Sequence, residues 1–473
     1  MALSLQRYMQ PNGSSPLIRL LKERSIREHE RAISITIQNA DRLDENVIIE
    51  ILSWLPVRSL LRYKSVCKSW YAIISSPDFI SKHLKNYYNN NCDWRGFLLT
   101  QYHIDQCELQ TYVLFVDETH RVLAREQLFD MPVFSSFIYG PCDGLYYLYE
   151  AIRYPLERAI WNPAINEFKF LPPLITKPNP PLNTVDGAGE DYGFGHDPKN
   201  GDYKVVVIKG YLNTINDDSD YPQSIFVYSL RNDSWKYCGD LGRYYWFKYS
   251  KCCNFVNGCC YWLESIKHSL AIVSFDMATD AFEEISLPDY IQLKSDSNCQ
   301  RCLAIYDKNV ALLCVHPESE FLDIWALKDG IWSLRFTMGP FQDIARPIGH
   351  WGDNKVILES VAFKLLVLDL ESKEIKHLAC GNFKPCNEIS ICKESLVSIN
   401  KGESCHGKGE DHNVTKHDRS PVEINKCDLD DDFEFGIREL FYNESDEITS
   451  ECDFGFEIHE LFHSESGETT LEF

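Results

Sequence analysis

The side chains able to do chemistry are scattered along the chain. Eighteen cysteines include the clusters Cys252-Cys253, Cys259-Cys260 and Cys299-x-x-Cys302. Thiolates in such groups suit zinc, which takes four Cys or His ligands in a tetrahedron. No cluster is followed by a second Cys-x-x-Cys or by a His pair at ligand spacing. The clusters therefore read as reduced thiols packing as small hydrophobes, and neither metal nor cofactor is expected. His196 stands beside Asp197, a pairing that would suit acid–base work, but neighbours on a strand point to opposite faces. His268, His316 and His350 stand alone. The run GFGHDPKNG at 193–201 lacks the G-x-G-x-x-G spacing that brings backbone against a pyrophosphate. Its Asp-Pro and Asn-Gly steps mark a strand end and a turn instead. The sequence holds no G-x-S-x-G elbow and no P-loop. No catalytic residue is assigned, and the chain reads as a binding protein, not an enzyme.

Charge narrows the partner. The 473 residues carry 47 Lys and Arg against 70 Asp and Glu, a net −23. Residues 1–40 are net +3, 41–400 net −11 and 427–473 net −15, the last with Arg438 as its single Arg or Lys. Such a chain is poorly suited to neutralising nucleic-acid phosphates or coating an anionic membrane, and a basic protein partner is favoured. No apolar run approaches the ~18 residues of a membrane span. The start lacks the charged n-region and long apolar h-region of a secretory signal. A cytoplasmic or nuclear location is expected.

Residues 41–85 show helical periodicity. Asp41 or Asp44 can cap a helix, and Val47, Ile48, Ile51, Leu52 and Leu55 follow at helical spacing until Pro56. A second stripe runs through Tyr63, Val66, Cys67, Trp70, Ile73 and Ile74 and stops at Ser75-Ser76-Pro77. So short a segment cannot bury this much Leu, Ile and Trp internally. The surplus either packs on the rest of the chain or forms a docking face. The segment resembles the F-box of plant F-box proteins, on EIL at 50–52, LPVRSL at 55–60, RYKSVCKSW at 62–70 and SPDFISKHL at 76–84. It departs from that family at Leu43-Asp44, where the family opens with Leu-Pro. The resemblance implies binding to a Skp-type adaptor, and through it to a cullin ubiquitin ligase. The contact positions it implies are Leu43, Ile51, Leu52, Leu55, Pro56, Leu60, Val66, Cys67 and Trp70, with Leu55, Pro56 and Trp70 as anchors.

From about residue 95 the pattern alternates, and a hairpin recurs: an apolar anchor, a polar turn and a second apolar residue seven positions on. The copies are Trp161 with Phe168, Tyr228 with Trp235, Phe275 with Phe282, Trp325 with Trp332 and Leu368 with Ile375. A weaker copy joins Phe115 to Val122. First anchors are separated by 46, 67, 47, 50 and 43 residues. The long interval holds two insertions, Pro172–Pro181 and Asn216–Asp220. Three to four strands per repeat is the footprint of a propeller blade, which predicts about six blades over 95–400. A β-sandwich is the alternative. Without a Gly-Gly pair, the repeats lack the mark of ordinary kelch units. They resemble instead the F-box-associated, kelch-like domain of the S-locus F-box and F-box/kelch-repeat proteins of plants. That likeness rests on GPCDGLYYLYE at 140–150, WNPAINEFKFLP at 161–172, GFGHDPKNGDYKVVVI at 193–208, NGCCYWL at 257–263, SFDMATDAFEEISLPD at 274–289 and the closing ICKESLVSI at 391–399.

After residue 400 the chain turns polar, with the composition of a flexible linker. A 21-residue repeat follows: 432–449 and 453–470 agree at eleven of 18 positions. The copies place Phe433, Phe435, Ile437, Leu440 and Phe441 against Phe454, Phe456, Ile458, Leu461 and Phe462. Either these are paired linear motifs for a basic groove, or the tail adds only charge. The leader 1–40 is expected to be poorly ordered. The expected fold is mainly β: a small helical F-box, then a propeller of about six blades, then a disordered acidic tail. The expected role is substrate adaptor of an SCF-type ubiquitin ligase. The target is an unidentified protein, with a basic one as an option; a basic ribonuclease, as in the S-locus group, is one such case. The alternative is a scaffold outside any ligase.

Overall fold

The computed structural model describes residues 44–88 and 96–400, apart from 104–107, 117–121, 128–130, 134–135, 151–156, 179–183, 214–222, 242–253, 267–268, 289–290, 292–298, 317–319, 352–353 and 379–387. The leader, Leu43, Cys252, Cys253, His268 and the tail motifs lie outside the described residues.

Four short helices come first: α1 (Glu45–Ser53), α2 (Val57–Tyr63), α3 (Lys68–Ser75) and α4 (Pro77–His83), followed by one π turn at Leu84–Tyr88. Their boundaries follow from side-chain chemistry. The Asp44 carboxylate accepts the Asn46 N–H at 2.7 Å and caps α1. Pro56 ends the first segment and caps α2. The second apolar stripe is divided between two helices, not carried on one. Cys67 breaks it, its extended backbone capping α3 while its Sγ accepts the Trp70 N–H at 3.5 Å. Ser76 Oγ accepts the Phe79 N–H at 3.2 Å, and Pro77 opens α4. Leu52, Leu55, Val57, Leu60, Trp70, Ile74 and Phe79 are buried. Tyr63 meets Trp70 edge-on at 5.6 Å.

The remainder is six four-stranded antiparallel sheets. Blade 1 holds β1 (Gly96–His103), β2 (Glu108–Val116) and β3 (Val122–Gln127). Blade 2 holds β4 (Ser136–Cys142), β5 (Leu145–Glu150), β6 (Arg158–Asn162) and β7 (Glu167–Phe170). Blade 3 holds β8 (Thr184–Asp197), β9 (Asp202–Asn213), β10 (Gln223–Ser229) and β11 (Ser234–Asp240). Blade 4 holds β12 (Asn254–Val256), β13 (Cys259–Ile266), β14 (Ser269–Asp276) and β15 (Ala281–Ser286). Blade 5 holds β16 (Gln300–Tyr306), β17 (Asn309–His316), β18 (Phe321–Lys328) and β19 (Ile331–Met338). Blade 6 holds β20 (Ile344–Trp351), β21 (Lys355–Ser360), β22 (Leu365–Asp369) and β23 (Ile375–His377). The last strand, β24 (Glu388–Ile391), returns to pair with β1 and completes blade 1. The first strand of each blade meets those on either side, from β24 through β4, β8, β12, β16 and β20 back to β24. The ring is therefore closed, and the fold is a six-bladed propeller and not a sandwich.

The core lies between blades. Leu313, Ile324, Leu358 and Leu368 join blades 5 and 6; Phe97, Leu114, Ile357 and Trp351 join 6 and 1. Between blades 3 and 4 the first two glycines of GFGHDPKNG find their reason. A Cβ at Gly193 would lie 2.9 Å from the Trp262 ring, and one at Gly195 would lie 2.3 Å from Phe255. They admit two aromatic rings, not a phosphate.

The repeated hairpin owes its register to its turn. Asp276 Oδ1 accepts the N–H groups of Ala278 and Thr279 at 2.7 and 2.9 Å, and Asp369 does the same for Glu371 and Ser372. A left-handed residue four positions after each closes the turn, Asp280 at φ +56° and Lys373 at +60°. Seven-residue spacing then sets Trp161 opposite Phe168, Tyr228 opposite Trp235, Phe275 opposite Phe282 and Leu368 opposite Ile375. Blade 5 departs from this. Ala326 occupies the capping position, and Asp329-Gly330, at φ +52° and +76°, makes a two-residue turn. Trp332 consequently faces Leu327, and Trp325 faces Leu334. In blade 1 a bulge sets Phe115 opposite Ala124 and Val122 opposite Val116.

Candidate interaction surfaces

Within the helical module, α1 is divided lengthwise. Ile48 and Leu52 point inward. Val47, Ile51 and Trp54 lie at i, i+4 and i+7 on the other side, 45%, 37% and 50% exposed. Val66 on the α2–α3 turn and Tyr71 on α3 are also exposed, 47% and 56%. On α1 itself Glu50 receives Lys82 at 2.5 Å and the Trp54 indole N–H at 3.1 Å, and these bonds hold its carboxyl below the ordinary range. Of the contact positions implied by sequence, Ile51, Val66 and Cys67 are exposed and Pro56 is half-buried. Leu52, Leu55, Leu60 and Trp70 are interior, none more than 6% exposed, and they build the module. Val47, Trp54 and Tyr71 are the surface residues that sequence reasoning missed. Sequence offered only that Val47 and Trp54 share a helical face with Ile51, which does not say that the face is bare.

The blade anchors also divide. Trp161, Tyr228, Trp235 and Phe275 are buried, while Phe282, Trp325 and Trp332 are partly buried. Phe168 is exposed, which removes it from the blade core. It lies on β7, the last strand of its blade, whose residues alternate between half-buried and exposed. The chemically suggestive pairs are structural. Asp197 is buried, turns the chain by accepting the Lys199 and Asn200 N–H groups, and meets Lys204 Nζ at 3.0 Å. Burial pushes its carboxyl up, but the bonds from Asn200 and Lys204 outweigh this and hold it at about 2. Lys204 also reaches Asp280 at 2.8 Å, tying blade 3 to blade 4. His350 accepts the Ile305 N–H at Nδ1, and burial lowers it to about 4. Among the described residues no three His, Cys, Asp or Glu side chains gather at metal-ligand geometry.

The two ends of the propeller differ. On one, the turn face, connections within blades are two to five residues, among them Asp143-Gly144, Asn257-Gly258 and Asp329-Gly330. The other, the loop face, carries the within-blade turn 361–364 and the link 339–343 between blades 5 and 6, both described in full. The helical module joins the turn face, because β1 begins there. Glu167, on the β6–β7 hairpin, acts on the charge of Lys64, and Arg58 acts on Glu394. The loop face is thus the end away from the helices.

A helical module with a bare apolar stripe, joined to the turn face of a six-bladed propeller, defines an F-box protein of the propeller type. The F-box domain family matches residues 41–82, and the F-box associated beta propeller domain family matches 88–345. The chain belongs to this F-box-associated propeller family. Its relatives in Arabidopsis thaliana include F-box protein CPR1, 24% identical over 82% of this chain and 96% of the relative. F-box protein At3g08750 is 30% identical over 59% of this chain and 68% of its own length. F-box/kelch-repeat protein At3g23880 is 24% identical over 74% and 94%.

Proposed function

We propose that this protein is a non-catalytic substrate adaptor of an SCF-type ubiquitin ligase. The F-box docks on a Skp-type adaptor and so on a cullin, and the propeller holds a target protein. Rate comes from proximity: a bound target is presented to the ligase's conjugating enzyme at high effective concentration. The observation that carries this reading is the exposed stripe of Val47, Ile51 and Trp54. A chain that used its F-box only as packing would bury that stripe against its own body. The asymmetry of the propeller supports the second half, since the helices take the turn face and leave the loop face to a target.

The test is capture of the purified full chain by a Skp-type adaptor, wild type against Ile51→Asp with Trp54→Ala. Both residues are exposed, so the variant keeps its circular dichroism and melting temperature. Wild-type capture with loss in the variant is expected, because a carboxylate driven into an apolar interface costs several kcal/mol, roughly. Absence of wild-type capture would overturn the ligase reading in favour of a scaffold outside any ligase.

A further inference from the structure

Where blades 5 and 6 adjoin on the loop face, three connections are tied into one platform. Glu320, at φ +59°, donates its N–H to His316 O at 2.8 Å, and its own carbonyl accepts the Phe341 N–H at 2.7 Å. Two residues on, Asp343 at φ +67° offers its carbonyl to the Val361 N–H at 3.0 Å. The β21–β22 turn is then closed on itself. The Phe363 N–H reaches Ser360 O, the Ser360 N–H reaches Lys364 O, and the Lys364 N–H reaches Ser360 Oγ, each at 2.9 Å. Gly339 admits this arrangement, since a Cβ there would lie 2.5 Å from Glu320 O.

At the tip of this rigid turn stand Val361, 65% exposed, and Phe363, 47% exposed. Phe363 sits at φ +56°, a region that a bulky aromatic side chain rarely adopts. Glycine or asparagine would fill the position with less strain and leave less apolar surface in water. Strain and apolar exposure coincide at one residue, and neither helps the chain to fold. Strained backbone held by surrounding bonds is commonly found where a partner is gripped. The exposed carboxylates of Glu320 and Asp343 belong to the same platform, with Lys364 the nearby cation.

We propose that Val361 and Phe363 are an apolar prong that binds the target, and that the target offers an extended segment with an apolar side chain flanked by Lys or Arg. The proposal rests on reading the propeller as the target-binding module. The prong supplies apolar burial, and Glu320 and Asp343 select for positive charge beside it.

The test uses synthetic dodecapeptides with a central Leu or Phe flanked by Lys and Arg, by Asp and Glu, or by Ser, measured by fluorescence anisotropy against the full chain. The basic set should bind about tenfold tighter than the acidic set, and Phe363→Gly should weaken it about tenfold. Phe363→Gly relieves the left-handed strain, so it should melt no lower than wild type and be captured by the adaptor as before. Glu320→Lys with Asp343→Lys should erase the preference for basic flanks. Equal binding of basic and acidic sets, no binding by any set, or full affinity in Phe363→Gly would overturn the proposal. Adaptor capture measured on the same samples reports the F-box separately. Its failure in wild type would remove the ligase reading and leave the prong standing.

Discussion

Ile51 and Leu55 stand four residues apart and do opposite work. Ile51 is on the bare side of α1; Leu55 lies in the turn after it, inside the module, with the His83 ring donating to its carbonyl at 2.9 Å. A charge at each position therefore fails differently. Leu55→Asp buries a carboxylate in an apolar interior and should unfold the helices, at a cost of roughly several kcal/mol. Ile51→Asp leaves the charge in water and should change stability by no more than about 0.5 kcal/mol. Both should lose adaptor capture, the first through the fold and the second through the interface. Limited proteolysis of residues 44–88 separates the two: rapid cleavage is expected in Leu55→Asp and none beyond wild type in Ile51→Asp. Sequence alone could not make this distinction. Ile48, Ile51, Leu52 and Leu55 form so dense an apolar run that helical periodicity cannot say which side is the inside.

At the scale of elements, α4 is fastened to the α1–α2 turn through His83. The ring is buried against Phe79, and burial lowers its pKa below the ordinary value of 6.5. In the unfolded chain it titrates near 6.5; in the folded chain it stays neutral to lower pH. The unfolded state then binds the extra proton, so this stabilisation is complete above pH 6.5 and is lost as pH falls below it. Protection of the α1 and α2 amides from hydrogen exchange should drop between pH 7.5 and about 5, and His83→Gln should flatten that dependence. His350 acts in the same direction in the propeller, so the readout has to be confined to the helices. The hairpins show which elements could be read in advance. Where Asn162, Ser229, Asp276 or Asp369 follows the anchor, a side-chain oxygen takes one or two turn N–H groups, and a spacing of seven becomes a pairing. Where Ala326 stands instead, that oxygen is missing, and Asp329-Gly330 shortens the turn. The identical spacing at Trp325 and Trp332 then carried no register. The prong at Val361 and Phe363 left no periodic signal, because its turn is closed by the local Ser360 and Lys364 bonds and tied to the next connection through the Asp343 carbonyl.

At the scale of the whole molecule, the ring closes where the two ends of the propeller meet. β24 is the first strand of a blade whose other three strands begin 266 to 292 residues earlier, and it pairs Phe97 with Ile391 and Thr100 with Glu388. The sequence run 391–399 is not the closing strand itself. β24 lies just upstream, and 392–399 forms a strap across to blade 2. Tyr146 Oη donates to Ile391 O and accepts the Lys393 N–H, both at 3.1 Å. Buried Asn162 donates to Val397 O at 2.8 Å. Glu167 accepts from Ser398 Oγ and the Ile399 N–H at 2.8 and 2.9 Å. Leu396, Val397 and Ile399 are buried beneath these bonds. Because each blade buries its faces only against its neighbours, an open ring exposes blade 1 and blade 6 together. Cutting the chain after residue 387 should remove the closure, broaden or abolish the propeller's cooperative melting, and leave the protein prone to aggregate through the bare edge of β1. A cut after residue 400 retains every bond of the strap, and the melting temperature should stay within about 2 °C of the full chain. Calorimetry of the three chains decides it. If the 387 truncation melts as one transition at the full-chain temperature, then closure by β24 is not what makes the six blades a unit.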